Sequence, residues 1–199
     1  MQYLKKEIRE RILAAAVEEF KEQGYADASI RNIANNAEIS LGNIYRYFAN
    51  KEALYFAVIN PFMESVKQFV DNDFTFADRS MKEISETLIS FIMQFSDELL
   101  IIRKGNTVHY ETFVNYIIEV ISNKIKELIE GVFPEIDSKI QNPEFYSALA
   151  EGFLTSFFKV LKKDDPTEVL ERNARELITF YFGHMKDRFY HFDVDIDNQ

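Results

Sequence analysis

Asn43, Tyr45, Arg46 and Tyr47 stand together in the segment Ser29–Lys51. Asn and Arg carry paired donors and acceptors that match base edges, and Tyr adds a ring and a hydroxyl for stacking and phosphate contact. Side chains of this kind suit recognition of nucleic acid. They need a rigid element beneath them, and the local sequence supplies it. Ser29 is a good N-cap, after which Ile30, Ile33, Ala34 and Ala37 recur at helical spacing. Asn36, Glu38 and Ser40 break the pattern, and Ser40 is a second N-cap candidate. Leu41, Ile44, Tyr45 and Phe48 resume it, leaving Gly42, Asn43, Arg46 and Tyr47 on other faces. Small Ala34 allows two crossing helices to approach, and Ile39 and Ile44 seal their underside. The spacing predicts two short helices joined by a tight turn, the form of a helix-turn-helix reader. Taken alone, any small helical hairpin presents the same pattern.

The flanks narrow that choice. Leu4 to Gln23 is a long amphipathic segment with Leu4, Ile8, Ile12, Ala15, Ala16 and Phe20 on one stripe. Gly24 follows as a left-handed stop. Downstream, Asn50 caps a helix that begins Lys51-Glu52-Ala53-Leu54. A three-helix unit is thus followed at once by a fourth helix.

The order Ile12-Leu13-Ala14-Ala15-Ala16, Phe20, Gly24-Tyr25, Ser29-Ile30, Ile33-Ala34, Ala37-Glu38-Ile39-Ser40, Ile44-Tyr45-Arg46-Tyr47-Phe48 and Asn50-Lys51-Glu52-Ala53-Leu54 resembles the N-terminal domain of the TetR family of one-component transcriptional regulators. The resemblance covers roughly residues 5 to 56 and rests on many positions matching in register. Two positions depart from it. Glu38 holds the turn position usually taken by glycine, at a cost on the order of 1 kcal/mol for a left-handed residue. Ala28-Ser29 stands where threonine is commoner, and Ser29 keeps a cap hydroxyl.

The resemblance implies roles. Arg31 and the run Ser40, Leu41, Gly42, Asn43, Tyr45, Arg46 and Tyr47 would face the major groove, with Asn43, Tyr45 and Arg46 touching bases. Tyr47 and Lys51 would grip phosphate, Lys51 from the first turn of the fourth helix. Residues 1–50 are then the DNA-binding domain, and 51–199 the ligand-binding and dimerisation domain.

Composition bounds the rest. The chain has no cysteine, so disulfides and thiolate chemistry are excluded. No apolar run approaches the ~20 residues of a membrane span, and the N-terminus is unlike a secretory signal, so a cytoplasmic protein is expected. The net charge of −10 lies wholly after residue 60, because residues 1–60 carry eight basic and eight acidic side chains. An acidic body disfavours sideways contact with DNA, although ordinary surface charge gives the same distribution.

Six glycines, four prolines and little strand alternation predict an all-α chain of about nine helices: a helix-turn-helix domain followed by a helical bundle. Helices are expected from Lys51 to about Asn72 with an interruption at Asn60-Pro61, then over 80–96, 97–104, 107–130, 143–162 and from Thr167 to about Phe192. The acidic stretch Asp193–Gln199 is expected to fray.

The helix opened by Pro143 and the last helix are apolar on more than one side. Tyr146, Leu154, Phe158 and Leu161 on the first, and Leu177, Phe180 and His184 on the second, suggest a face covered by another copy. A two-fold dimer would carry two reading helices one DNA turn apart, ~34–36 Å, and read a palindrome.

Sixteen of nineteen Phe lie after residue 60. Phe62, Met63, Val66, Phe91, Phe95, Ile102, Phe113 and Tyr116 permit an apolar pocket, and His109, Tyr110 and Tyr116 with Arg103 offer polar anchors. Plain core packing accounts for most of the same residues. Three isolated histidines without cysteine argue for no metal, and no cofactor is expected.

The expected protein is a non-enzymatic, dimeric repressor, released from a palindromic double-stranded DNA operator by a small apolar or aromatic effector. The alternatives are a small all-α ligand carrier or enzyme without DNA binding, and a helical adaptor. The sequence holds no nucleophile–base pairing, metal-ligand spacing or glycine-rich phosphate loop for an enzyme. An adaptor would leave Asn43, Arg46 and Lys51 without purpose.

Overall fold

Ile12, Ala15, Ala16 and Phe20 line one stripe of α1 (Lys6–Asp27), and all four are buried. The structure, a computed structural model, describes residues 5–70, 80–104, 108–132, 140, 142, 144–162 and 165–183. Among these, nine α-helices and no strand are present. After α1 come α2 (Ile30–Asn36), α3 (Leu41–Tyr47), α4 (Lys51–Gln68), α5 (Met81–Gln94), α6 (Ser96–Arg103), α7 (Val108–Val132), α8 (Phe145–Val160) and α9 (Thr167–Phe182). The all-helical class and the N-terminal helix-turn-helix are as the sequence predicts. The helices form two compact units, one holding α1–α4 and α6, the other holding α5, α7 from Phe113 onward, α8 and α9.

In the first unit α1 packs against α2, α4 and α6. Its partners bring Ile33 and Ala34 from α2, Ile44 from α3, and Leu54, Tyr55, Val58, Ile59 and Phe62 from α4, all buried. Phe20 meets Tyr55 edge-on at 5.3 Å, and Tyr25 meets Tyr55 at 5.0 Å. The short α6 is buried at four successive residues, Leu99–Ile102, while its first turn carries Asp97 and Glu98. Two polar ties hold it to α1. Lys21 Nζ donates to Asp97 at 3.1 Å and to Glu18 at 3.0 Å. Lys104 Nζ donates to the carbonyls of Lys21 and Glu22 at 2.9 and 2.8 Å, satisfying acceptors at the end of a helix that would lack partners.

Gly24 interrupts α1 with the positive φ its sequence position predicts, 74°, but its ψ of 171° lies outside the left-handed helical region and α1 does not stop there. The chain makes one further turn to Asp27 before leaving the helix. α4 differs from expectation. It runs from Lys51 to Gln68 through Pro61 without a break. Pro61 is exposed, so water can serve the carbonyl its ring leaves unbonded.

The second unit is built around α8. Tyr146 and Ala150 pack with Ile125, Leu128 and Ile129 of α7, while Phe153 meets Tyr181 and Phe182 of α9, each at 5.3 Å. Gly152 lies against the Tyr181 ring, and Ser156 Oγ and Tyr181 Oη are hydrogen-bonded at 3.0 Å. α5 starts with a reciprocal cap in which Glu83 N–H donates to Ser80 Oγ, and Ser80 N–H to the Glu83 carboxylate. α9 ends at Phe182 with Gly183 extended, short of the expected Phe192; His184 and the acidic tail lie outside the described residues.

Candidate nucleic-acid interface

Ser29 begins the reading hairpin. Its hydroxyl accepts from the Asn32 N–H at 3.4 Å, the cap its sequence position predicts. Ala37 N–H then donates to Ile33 O at 2.9 Å and Ile39 N–H to Ala34 O at 3.0 Å, so the turn closes within six residues, Ala34–Ile39. Glu38 takes the left-handed conformation with φ 55°, which the sequence places at a position favouring glycine. Its exposed carboxylate lies 3.7 Å from Arg11 of α1, a pair screened by solvent and worth little.

The second cap differs from expectation. Ser40 has the extended dihedrals of an N-cap residue, but its hydroxyl makes no cap bond; its carbonyl accepts from Asn43 N–H at 2.9 Å. Asn50 does cap α4, accepting from Ala53 N–H at 2.7 Å.

α3 turns Ile44 fully inward and presents most of the rest outward. Ser40, Leu41, Gly42, Tyr45 and Arg46 are exposed, as is Arg31 on α2, while Asn43 and Tyr47 are half-buried. Three large hydrophobic side chains are exposed among the described residues: Leu41 at 36 %, Tyr45 at 52 % and Phe180 at 65 %. Two of them lie on this seven-residue helix. A helix that buries one residue fully and shows a leucine, a tyrosine and an arginine to solvent is suited to contact a partner.

The two residues expected to grip phosphate are engaged within the chain. Tyr47 Oη accepts from the Lys5 backbone N–H at 3.1 Å. Lys51 is half-buried, and its Nζ donates to the carbonyls of Ala26 and Ala28 at 2.9 and 3.1 Å. The same ammonium lies 4.8 Å from the centroid of the Tyr25 ring. Lys51 therefore ties the start of α4 to the segment that joins α1 to α2. Its charge is drawn inward by free carbonyls that the sequence pattern does not reveal.

One further residue escaped the sequence reading. Glu19 is the buried charged side chain among the described residues, 7 % exposed, and its carboxylate accepts from Ser29 N–H at 2.8 Å and Asn32 Nδ2 at 3.3 Å. Its signal was present: Glu19 lies on the apolar stripe of α1, seven residues after Ile12 and three after Ala16.

Electrostatics reinforce the packing. Burial alone would lower the Lys21 ammonium, but its hydrogen bonds to Glu18 and Asp97 hold it above its ordinary value. Burial among aromatic rings, aided by Tyr25, pushes the Tyr55 hydroxyl up to about 12.

The residues expected around an effector fall in both units. Phe62, Val66, Phe95 and Ile102 are buried in the first and Met63 is half-buried there, with Phe62 and Phe95 rings 5.2 Å apart. In the second, Phe113 is buried, and Phe91 and Tyr116 are half-buried. The side chains of His109 and Tyr110 lie outside the described residues.

The residues expected at a pairing face differ in exposure. Tyr146, Leu154, Phe158 and Leu161 are each buried within their own chain, because α8 has neighbours on more than one side. Leu177 is half-buried, and Phe180 alone of the described set is open to solvent.

Residues 12–58 match the model of bacterial regulatory proteins, tetR family. The HTH-type transcriptional regulator HbdR of Aromatoleum sp. (strain CIB) is 37% identical over 65 residues, 33% of this chain and 28% of that protein. The chain spans between about a quarter and a half of the length of the curated relatives it matches. A TetR-like transcriptional regulator from Rhodococcus sp. RHA1 superimposes with a TM-score of 0.63 at 18% identity, covering 88% of this chain and 96% of that one. The TetR family transcriptional regulator CifR, a cysteine mutant in complex with 26-bp double-strand operator DNA, gives 0.62 at 16% identity, with 89% and 97% covered. No helix among the described residues is long and apolar enough to cross a membrane. Over residues 12–58, the chain is thus similar to the tetR family of bacterial regulatory proteins, and over most of its length it shares the fold of TetR-like regulators.

Proposed function

We propose that this protein is a dimeric DNA-binding transcriptional regulator, a cytoplasmic repressor released from a palindromic operator by a small apolar or aromatic effector. The observation that carries the reading is α3, which buries Ile44 and leaves Leu41, Tyr45 and Arg46 open to solvent on a helix anchored from behind. CifR, similar in fold, is complexed with operator DNA, which supports the same partner here. Asn43, Tyr45 and Arg46 read bases, Arg31 and Gly42 lie against the groove, and Ser40, Tyr47 and Lys51 serve the backbone. Lys51 reaches phosphate by exchanging the carbonyls of Ala26 and Ala28 for it.

In this reading residues 1–50 read DNA, and 51–199 sense the effector and pair the protomers. The second copy covers Phe180 and Leu177, the described part of the last helix left open by its own chain. The effector acts on α4, whose residues Phe62, Met63 and Val66 follow the reading head. A shift from mostly bound to mostly released, 1:99 to 99:1, requires a differential affinity of about 5.5 kcal/mol.

Gel retardation on a duplex from the promoter of the protein's own gene, with a random duplex as control, tests the reading. Specific retardation that weakens steeply with salt is expected, and its absence at low salt refutes it. Sedimentation of Phe180→Asp should give a monomer; an unchanged dimer refutes the pairing face.

A further inference from the structure

Glu19 uses a buried carboxylate where leucine or alanine would pack as well. Removing a charge from water is costly unless it is hydrogen-bonded, so an apolar residue is the simpler choice on this stripe. What the carboxylate adds is direction. Its Oε1 accepts from the backbone N–H of Ser29 at 2.8 Å and from Asn32 Nδ2 at 3.3 Å. Ser29 Oγ in turn accepts from the backbone N–H of Asn32 at 3.4 Å. The three residues form a closed set of bonds around the first turn of α2, tied to α1 at one atom. Negative charge is also favoured beside the free amides that open a helix.

α3 follows from α2 through the turn bonds Ala37–Ile33 and Ile39–Ala34, so whatever sets α2 sets α3. Apolar packing tolerates a small slide or rotation of α2; a hydrogen bond to one oxygen does not. Base contacts need that accuracy, whereas phosphate contacts adjust more freely.

We infer that Glu19 is a positioning residue for DNA reading: it holds α2, and with it α3, in the orientation at which α3 discriminates between base sequences. The inference rests on the proposed DNA-reading function. It assigns Glu19 to specificity, distinct from phosphate binding and from simple stability.

The test uses the full chain with Glu19→Leu, which keeps volume and removes the acceptor, and Glu19→Gln, which keeps it. A duplex selected by the wild-type protein from a random library and a scrambled duplex of equal composition are the probes. Affinities are normalised to the active fraction, and amide exchange over residues 29–36 is followed in the free proteins. Glu19→Leu should lose about tenfold or more on the selected duplex, given an N–H left unpaired, and less than about twofold on the scrambled one. Exchange over 29–36 should quicken in Glu19→Leu, and Glu19→Gln should restore both readouts.

An unchanged ratio between the two duplexes in Glu19→Leu overturns the inference. So does a parallel loss on both that Glu19→Gln leaves unrescued, which marks a structural role only. If the wild-type protein selects no duplex, the DNA reading itself fails. The exchange data then decide alone: unaltered exchange in Glu19→Leu refutes the positioning of α2, and faster exchange rescued by Glu19→Gln upholds it.

Discussion

Gly24→Ala adds one methyl group where the backbone has φ 74° and ψ 171°. That region is essentially reserved for glycine, and holding another residue there costs about 1–3 kcal/mol. The new Cβ would lie 3.2 Å from the Lys104 carbonyl oxygen and 3.3 Å from Lys104 Cβ, so the end of α6 must give way slightly. Lys104 also caps the carbonyls of Lys21 and Glu22, and that retreat weakens the cap. Alanine restricts the unfolded chain and offsets about 0.4–1 kcal/mol. The net is a loss of about 2 kcal/mol, which lowers the melting midpoint of a chain this size by roughly 4–8 °C. Thermal unfolding followed by far-ultraviolet circular dichroism measures it, with Gly131→Ala as control. A Cβ at Gly131 meets nothing within 4 Å, and helix propensity predicts a gain there of up to about 1 kcal/mol. An unchanged or raised midpoint for Gly24→Ala refutes the reasoning.

Gly42→Ala should separate stability from binding. A Cβ there also meets nothing within 4 Å, so α3 should gain about 0.5–1 kcal/mol, while operator affinity should fall because the methyl occupies the face proposed to meet DNA; unaltered affinity removes Gly42 from the interface. Lys104→Met removes a cation from the end of α1 and should cost about 0.5–1 kcal/mol in urea titrations, a loss that shrinks in high salt; a salt-independent effect points to packing instead. Stability should also fall in alkali. Tyr55 has a hydroxyl near 10 when unfolded and about 12 when folded, so the folded state holds the extra proton between those values. The loss begins above pH 10 and reaches about 1.4 kcal/mol at pH 11. Lys21 is raised as well, so its contribution is present below about 10.5 and is also lost as pH rises through its folded value. Tyr55→Phe should flatten the decline without abolishing it, and an equal slope in the variant argues against Tyr55 as a source.

Several features of the reading head were legible because their causes are local. Ser29 and Asn50 cap helices through amides three residues ahead. Glu38 and Gly24 take positive φ because the chain must reverse within a few residues of each. Ser40 shows the limit of this: the residue type suits a cap, but the hydroxyl turned elsewhere. The faces of α8 show a different limit. Two apolar sides suggested a second copy; α8 also has neighbours within its own unit, and periodicity carries no record of which neighbours cover which side.

The sequence by itself determined that the chain is helical, where its first four helices begin, and that Leu41 to Tyr47 carries a recognition toolkit. Each rests on bonds and periodicities spanning a few residues. Tertiary structure alone decided where the charged side chains went. Glu18 and Glu19 are identical neighbours in sequence, yet one reaches Lys21 and the other the start of α2. Lys51 meets carbonyls more than twenty positions away, and Lys104 meets carbonyls more than eighty away. Those destinations depend on how helices cross, and a crossing is set by the packing of the whole core. The surface proposed to contact DNA was therefore readable along the chain, whereas the atoms that hold it at its angle were not.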